Sequence, residues 1–141
     1  MYRGKGSAGW RTIGGKRIYC RSTWEANVGR WLEYQKRHNY IVDWMHEPKE
    51  FWFPGIKRGC VSYKPDYWVL NAVPEEVCDH HWIEVKGWMD SKSKTKIKRF
   101  AKYFPYEHLV ILDKAWFKKN NAKLKLIIKD WEVGQPPPPK K

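Results

Sequence analysis

Apolar and polar residues alternate from Val61 to Val69: Val61, Tyr63, Tyr67 and Val69 fall on one side, Ser62, Lys64, Asp66 and Trp68 on the other. A period of two predicts a half-buried strand and assigns Asp66 to its polar face. The same rule sends Ile83 and Val85 one way and Trp82, Glu84 and Lys86 the other. Paired as a hairpin through a connection at residues 71–79, the two segments bring Asp66 beside Glu84 and Lys86. Pro65 cannot donate to a sheet ladder, so a bulge or strand edge is expected there, re-aiming Asp66.

Upstream, Trp24, Val28, Trp31 and Leu32 recur at helical spacing, predicting a helix that opens at Ser22 and runs to about His38. Glu25 lies on the flank of that stripe, and Ser22-x-x-Glu25 fits a capping box in which Glu25 bonds back to the Ser22 amide. Residues 41–53 read as extended chain ending in a strand. Glu47 precedes Pro48 and is biased to extended geometry, as a surface or hydrogen-bonding residue or a fourth site carboxylate. Pro54-Gly55 makes a turn and Lys57-Arg58-Gly59 a basic loop. Downstream, Ile97, Phe100, Ala101 and Phe104 form the buried stripe of a helix ending before Pro105. Its other positions carry Lys92, Lys94, Lys96, Lys98, Arg99 and Lys102. The apolar run at residues 108–112 predicts a buried strand, paired in parallel after a helical crossover. A brief helix at residues 114–121 and a last strand marked by Leu124, Leu126 and Ile128 complete the pattern.

Residues 1–21 read as a Gly-rich, flexible basic arm, 22–134 as one domain, and 135–141, with four consecutive prolines, as a stiff tail outside the fold. The chain has 141 residues and a formal net charge of +13. That excess points to a polyanion as partner, nucleic acid ahead of an anionic membrane surface. Three cysteines, an odd number without paired metal spacing, predict a reduced, cytoplasmic protein. Cys78-Asp79-His80-His81 lacks a second ligand pair at zinc spacing and reads as a loop with incidental ligands. No segment has the pattern of a signal peptide or a membrane-spanning helix. Ten tryptophans exceed what one small core hides, leaving some for an interface or for stacking on unpaired bases.

Two carboxylates and an ammonium on one patch suit a hard cation, Mg²⁺ or Mn²⁺, shared with a substrate phosphate. Lys86 is then placed to orient an attacking water or to neutralise developing charge. Pro65-Asp66, followed at a hairpin's distance by Glu84-Val85-Lys86, resembles the signature of the PD-(D/E)XK nuclease superfamily. Within it the chain is most similar to small phage-encoded nucleases and archaeal-type Holliday junction resolvases. The resemblance covers roughly residues 22–113. It implies an α/β fold with a restriction-endonuclease-like αβββαβ core, a central mixed β-sheet flanked by helices. It also implies that Glu25 joins Asp66 and Glu84 as a metal ligand, with Lys86 completing the catalytic set. The implied protein is a Mg²⁺-dependent homodimeric endonuclease, Mn²⁺ also supporting activity. It would nick four-way DNA junctions symmetrically during recombination, in the host cytoplasm if phage-encoded. Arg17, Arg21, Lys57, Arg58 and the six cations of the 92–102 helix are the expected DNA contacts. Two other functions fit the same letters: a duplex endonuclease or exonuclease of this superfamily, and a basic nucleic-acid-binding module that never cuts.

Overall fold

The computed structural model describes residues 8–73 and 79–133. In chain order the elements are β1 (Gly9–Ile13), β2 (Lys16–Cys20), α1 (Thr23–Arg37), β3 (Ile41–His46), β4 (Phe51–Trp52) and β5 (Ser62–Tyr63). β6 (Tyr67–Asn71), β7 (His80–Lys86), α2 (Ser91–Tyr103), β8 (Leu109–Asp113) and α3 (Lys114–Ile127) follow. A mixed four-stranded sheet of order β3-β6-β7-β8 forms the centre. β6 runs antiparallel to both β3 and β7, and β8 joins β7 in parallel after the α2 crossover.

The alternation in β6 and β7 sorts their side chains onto two faces. Tyr67, Val69, Ile83 and Val85 bury against Ala26, Val28 and Leu32 of α1 and Phe117 of α3. Trp82 points the other way, into a smaller cluster with Phe51, Phe53, Tyr63 and Phe100. Helices therefore cover both faces, α1 and α3 one, α2 the other. Each large side chain so buried contributes about 1.5–3 kcal/mol of transfer free energy.

Several sequence expectations are corrected. The supposed arm is, from Gly9, a β-hairpin: Gly14 and Gly15, at φ +57° and +79°, make the two-residue turn. Ile13, Ile18 and Cys20 turn inward from it. Glycine density alone masked the alternation beside the turn. The strand expected over residues 61–69 is broken at Pro65, where an edge or bulge was expected, into β5 paired with β4 and β6 paired in the main sheet. Ala101 is exposed, and Ser93 takes the buried place at the start of α2. β8, at the sheet edge, is only partly buried apart from Leu112.

No strand forms at residues 124–128, because α3 continues to Ile127 with Ile128 as its C-cap. Asp113 accepts from the Trp116 N–H at 3.0 Å as the N-cap, and Lys, Ala and Leu are strong helix formers. On a strand Leu124, Leu126 and Ile128 would share a face. On the helix Leu124 and Ile128 are buried, whereas Leu126 is 86% exposed.

The segment after α3 closes back on the beginning of the chain. Arg11 Nε and Nη2 donate to the Glu132 carboxylate at 3.0 and 2.9 Å, and Arg30 Nη1 approaches it at 2.7 Å. Asn27 exchanges two hydrogen bonds with the Glu132 backbone, at 2.8 and 2.9 Å. Burial alone would raise the Glu132 pKa, but the bonds from Arg11 and Arg30 hold it below the usual carboxylate value.

Candidate active site

Glu25 enters the site through the first turn of α1. Ser22 Oγ accepts from the Glu25 N–H at 3.1 Å as the N-cap. The reciprocal bond of the expected capping box goes elsewhere: Glu25 Oε1 accepts from the Arg21 N–H at 3.1 Å, one residue before Ser22. Its other oxygen, Oε2, lies 2.5 Å from His46 Nε2 at the end of β3. The Glu25 carbonyl accepts from the Tyr67 hydroxyl at 2.6 Å. Gly29 makes room for that hydroxyl, since a Cβ there would lie 2.7 Å from it. A buried carboxylate is thus fixed by the Arg21 amide just after the hairpin and by His46 of β3, while β6 holds its backbone.

Asp66 stands in the break between β5 and β6. The Asp66 carbonyl accepts from the Glu47 N–H at 2.8 Å, and Asp66 Oδ2 accepts from the Val85 N–H at 2.7 Å. Pro65 therefore does what a chain interruption permits: it frees the next residue to bond across to β7 by its side chain. Burial, then the charges of Glu84 and Glu25, push the Asp66 carboxyl well above its ordinary pKa. Glu47 is not extended as its place before Pro48 predicts; it has φ +46°, held by its backbone bond to Asp66. Its carboxylate pairs with Arg21 Nη1 at 2.5 Å. One oxygen each from Glu25, Glu47 and Asp66 come together within 4.8 Å of one another.

Glu84 and Lys86 project from β7 into the same cavity of about 440 Å³. Glu84 Oε1 accepts from the Tyr63 hydroxyl, and Oε2 lies 3.3 Å from Lys86 Nζ. Burial raises the Glu84 pKa, against the opposing influence of Lys86 and Tyr63. Burial and the Glu84 charge raise that of Tyr63, which keeps its proton as donor. Glu25, Asp66, Glu84 and Lys86 all line this cavity, as the hairpin pairing requires.

The donor set can be tested against the implied cation. Glu25, Glu47 and Asp66 offer only oxygens, the preference of Mg²⁺ and Mn²⁺. Two oxygens on opposite sides of Mg²⁺, each about 2.1 Å away, are about 4.2 Å apart. Oxygens that all lie within 4.8 Å of one another are compatible with that span. Its membership differs from the expected one: Glu47 takes a place beside Glu25 and Asp66, while Glu84 is engaged with Tyr63 and Lys86. A softer set, Cys20, Glu25 and His46, lies behind it. Burial pushes the Cys20 thiol up to about 12, so it packs as a protonated core residue, and His46 acts on Glu25.

The expected DNA contacts separate. Arg21, Lys92 and Lys96 line the cavity, joined by Lys64, which sequence reasoning passed over. Arg17 lies 4.8 Å over the Trp10 ring on the exposed face of the hairpin. Arg99 donates to the Cys60 carbonyl at 2.7 Å and braces the basic loop. Lys57, Arg58, Lys94, Lys98 and Lys102 are exposed elsewhere. His46 and Trp88 were also missed. His46 carried no signal, but the polar Glu47 beside Pro48 did. Cys78 and residues 135–141 lie outside the described residues. Among the described residues no helix is long and apolar enough to cross a membrane. No protein-family model matches the chain, and no curated protein matches its sequence.

Proposed function

We propose that this protein is a divalent-metal-dependent DNA endonuclease selective for branched DNA, a Holliday junction resolvase in type, built on a restriction-endonuclease-like core. The observation that carries the proposal is the meeting of Glu25, Glu47 and Asp66 oxygens within 4.8 Å, in one cavity with Lys86. Buried carboxylates repel one another and would repel a phosphate backbone, so a cation between them gives the arrangement a purpose. Within the central sheet the order is α1, three strands (β3, β6, β7), α2 and β8, with the β4–β5 pair inserted between β3 and β6, and this order supports the core assignment.

Glu25, Glu47 and Asp66 would hold the ion, Mg²⁺ or Mn²⁺. When bound, such an ion supplies Lewis acidity toward a phosphoryl oxygen and lowers the pKa of water. Lys86, steadied by Glu84, points an ammonium into the cavity, where it orients water and neutralises charge building on the phosphate. His46 and the Arg21 amide hold Glu25 in one rotamer, as outer partners of metal ligands do. Lys64, Lys92 and Lys96 draw the phosphate strand to the rim. So small a domain selects DNA by shape, and a two-fold dimer places two such cavities about a symmetric junction.

The test is cleavage of end-labelled four-way junction, flap, linear duplex and single strand, with Mg²⁺ or EDTA. Paired symmetric nicks on the junction, lost in EDTA and in Lys86→Ala, are expected. Equal cutting of linear duplex would assign the site to a duplex endonuclease instead. Salt-sensitive binding with no Mg²⁺-dependent cutting of any substrate would refute the proposal in favour of a binding module.

A further inference from the structure

Trp88 lines the mouth of the cavity and is 56% exposed. Among the described residues no aromatic ring stacks on it, whereas the equally exposed Trp10 is capped by Tyr19 and Arg17. A solvated indole forfeits burial free energy that this chain collects elsewhere, with Trp44, Trp82 and Trp131 all buried. Three ammonium groups stand close to it along the chain, among the carboxylates of the same lining. Lys86 precedes it by two residues, and Lys92 and Lys96 follow on one face of α2, four positions apart. The link between β7 and α2 is tied at its far end, where Asp90 Oδ1 accepts from the Ser93 N–H at 2.8 Å. The indole is thus presented from a short, anchored connection.

We propose that Trp88, with Lys92 and Lys96, forms a nucleobase subsite that receives one unpaired or unstacked base next to the phosphate facing Lys86. This deepens the nuclease reading and rests on it for the location of that phosphate. Two residues of chain span about 7 Å at most, the axial rise of about two nucleotides of one strand. A base over Trp88 therefore belongs to a nucleotide at or beside the one whose phosphate Lys86 reaches, and Lys92 and Lys96 meet the neighbouring phosphate. In an uninterrupted duplex both faces of every base are covered by its neighbours. An indole can stack only where one face is open, at a branch point, nick, flap or bulge. The subsite gives a one-domain enzyme a means of telling branched from continuous DNA without reading sequence.

The experiment compares wild type, Trp88→Ala and Trp88→Phe on three labelled probes: a paired duplex, the same duplex with a single-base bulge, and a four-way junction. Affinity is measured by fluorescence anisotropy with Ca²⁺ in place of Mg²⁺, and nicking separately with Mg²⁺. Trp88→Ala should lose about 5- to 150-fold in affinity for bulge and junction, the range set by losing one stacked base, and less than about 2-fold for duplex. Trp88→Phe should keep most of the preference, and thermal melts of all three proteins should coincide, since the side chain is exposed. A uniform loss on all probes, or no loss on any, overturns the subsite. Trp88-dependent binding without nicking would instead refute the nuclease reading and leave the subsite standing; nicking with Trp88-independent selectivity does the reverse.

Discussion

Asp66→Asn should stabilise the metal-free protein while removing its response to metal. The substitution keeps the size of the side chain and an oxygen that can accept from the Val85 N–H. It removes one of three negative charges whose oxygens lie within 4.8 Å of one another. With an effective dielectric of about 20, two unit charges at that upper limit repel by about 3 kcal/mol. Part of that cost is already avoided in the wild type, by proton binding to Asp66 and by the nearby charges of Arg21 and Lys86. A net gain of about 1–2 kcal/mol for Asn is expected, or about 3–8 °C in Tm for a domain of this size.

The effect has a defined pH dependence. Burial, Glu84 and Glu25 raise the folded-state pKa of Asp66 above its unfolded value. Stability linked to its proton is therefore full below about pH 4 and is lost as pH rises through the folded value, at up to about 1.4 kcal/mol per unit. Wild type and variant should melt alike in acid and diverge toward neutral and alkaline pH. Mg²⁺ at ten times its dissociation constant should restore about 1.4 kcal/mol to the wild type and nothing to the variant. The assay is thermal melting in EDTA and in Mg²⁺ across a pH series. A variant no more stable than wild type in EDTA at pH 8, or equally stabilised by Mg²⁺, would refute the reasoning.

His46→Ala frees one oxygen of Glu25 and should lower nicking about 10- to 100-fold while raising the Mg²⁺ concentration required, measured as initial rates in a metal titration. Gly29→Ala forces a Cβ against the buried Tyr67 hydroxyl and should cost about 1–3 kcal/mol in a urea melt. Leu124→Ala should cost about 2–4 kcal/mol and Leu126→Ala less than about 0.5 kcal/mol, a contrast a helix produces and a strand would not. Glu132→Gln should lose stability at neutral pH but not in acid. The Glu132 pKa is held low in the folded state, so its contribution is present above the unfolded value and fades as pH falls through the folded one.

Much of the site was legible because it rests on period-two alternation, which fixes faces irrespective of distant contacts. Asp66, Glu84 and Lys86 followed from the parity of their positions, and the hairpin register brought them into one cavity. The capping motif placed Glu25 at the start of α1 and only the resemblance aimed it at the site; its bond partner is the Arg21 amide, because local rules fix the turn and not which amide a long side chain reaches. His46 was illegible in role and Glu47 was legible only as one of several readings, since each acts through residues about 20 positions away that only the folded sheet brings near. α3 was misread where Leu and Lys alternate over a few residues, too short a window to separate helix from strand. The hairpin of β1 and β2 was misread because composition was weighed ahead of the alternation that flanks Gly14-Gly15.

Glu132 stands far along the chain from the cavity, yet its side chain staples the first strand to the first helix. The strand that follows β1 ends at Cys20, and the next amide, that of Arg21, is one of the two anchors of Glu25. A clip loosened at the carboxy-terminal end would thus be felt as slack in the Glu25 carboxylate. Shortening the chain to a point before Trp131 should accordingly yield a protein whose metal affinity drops before its helices melt.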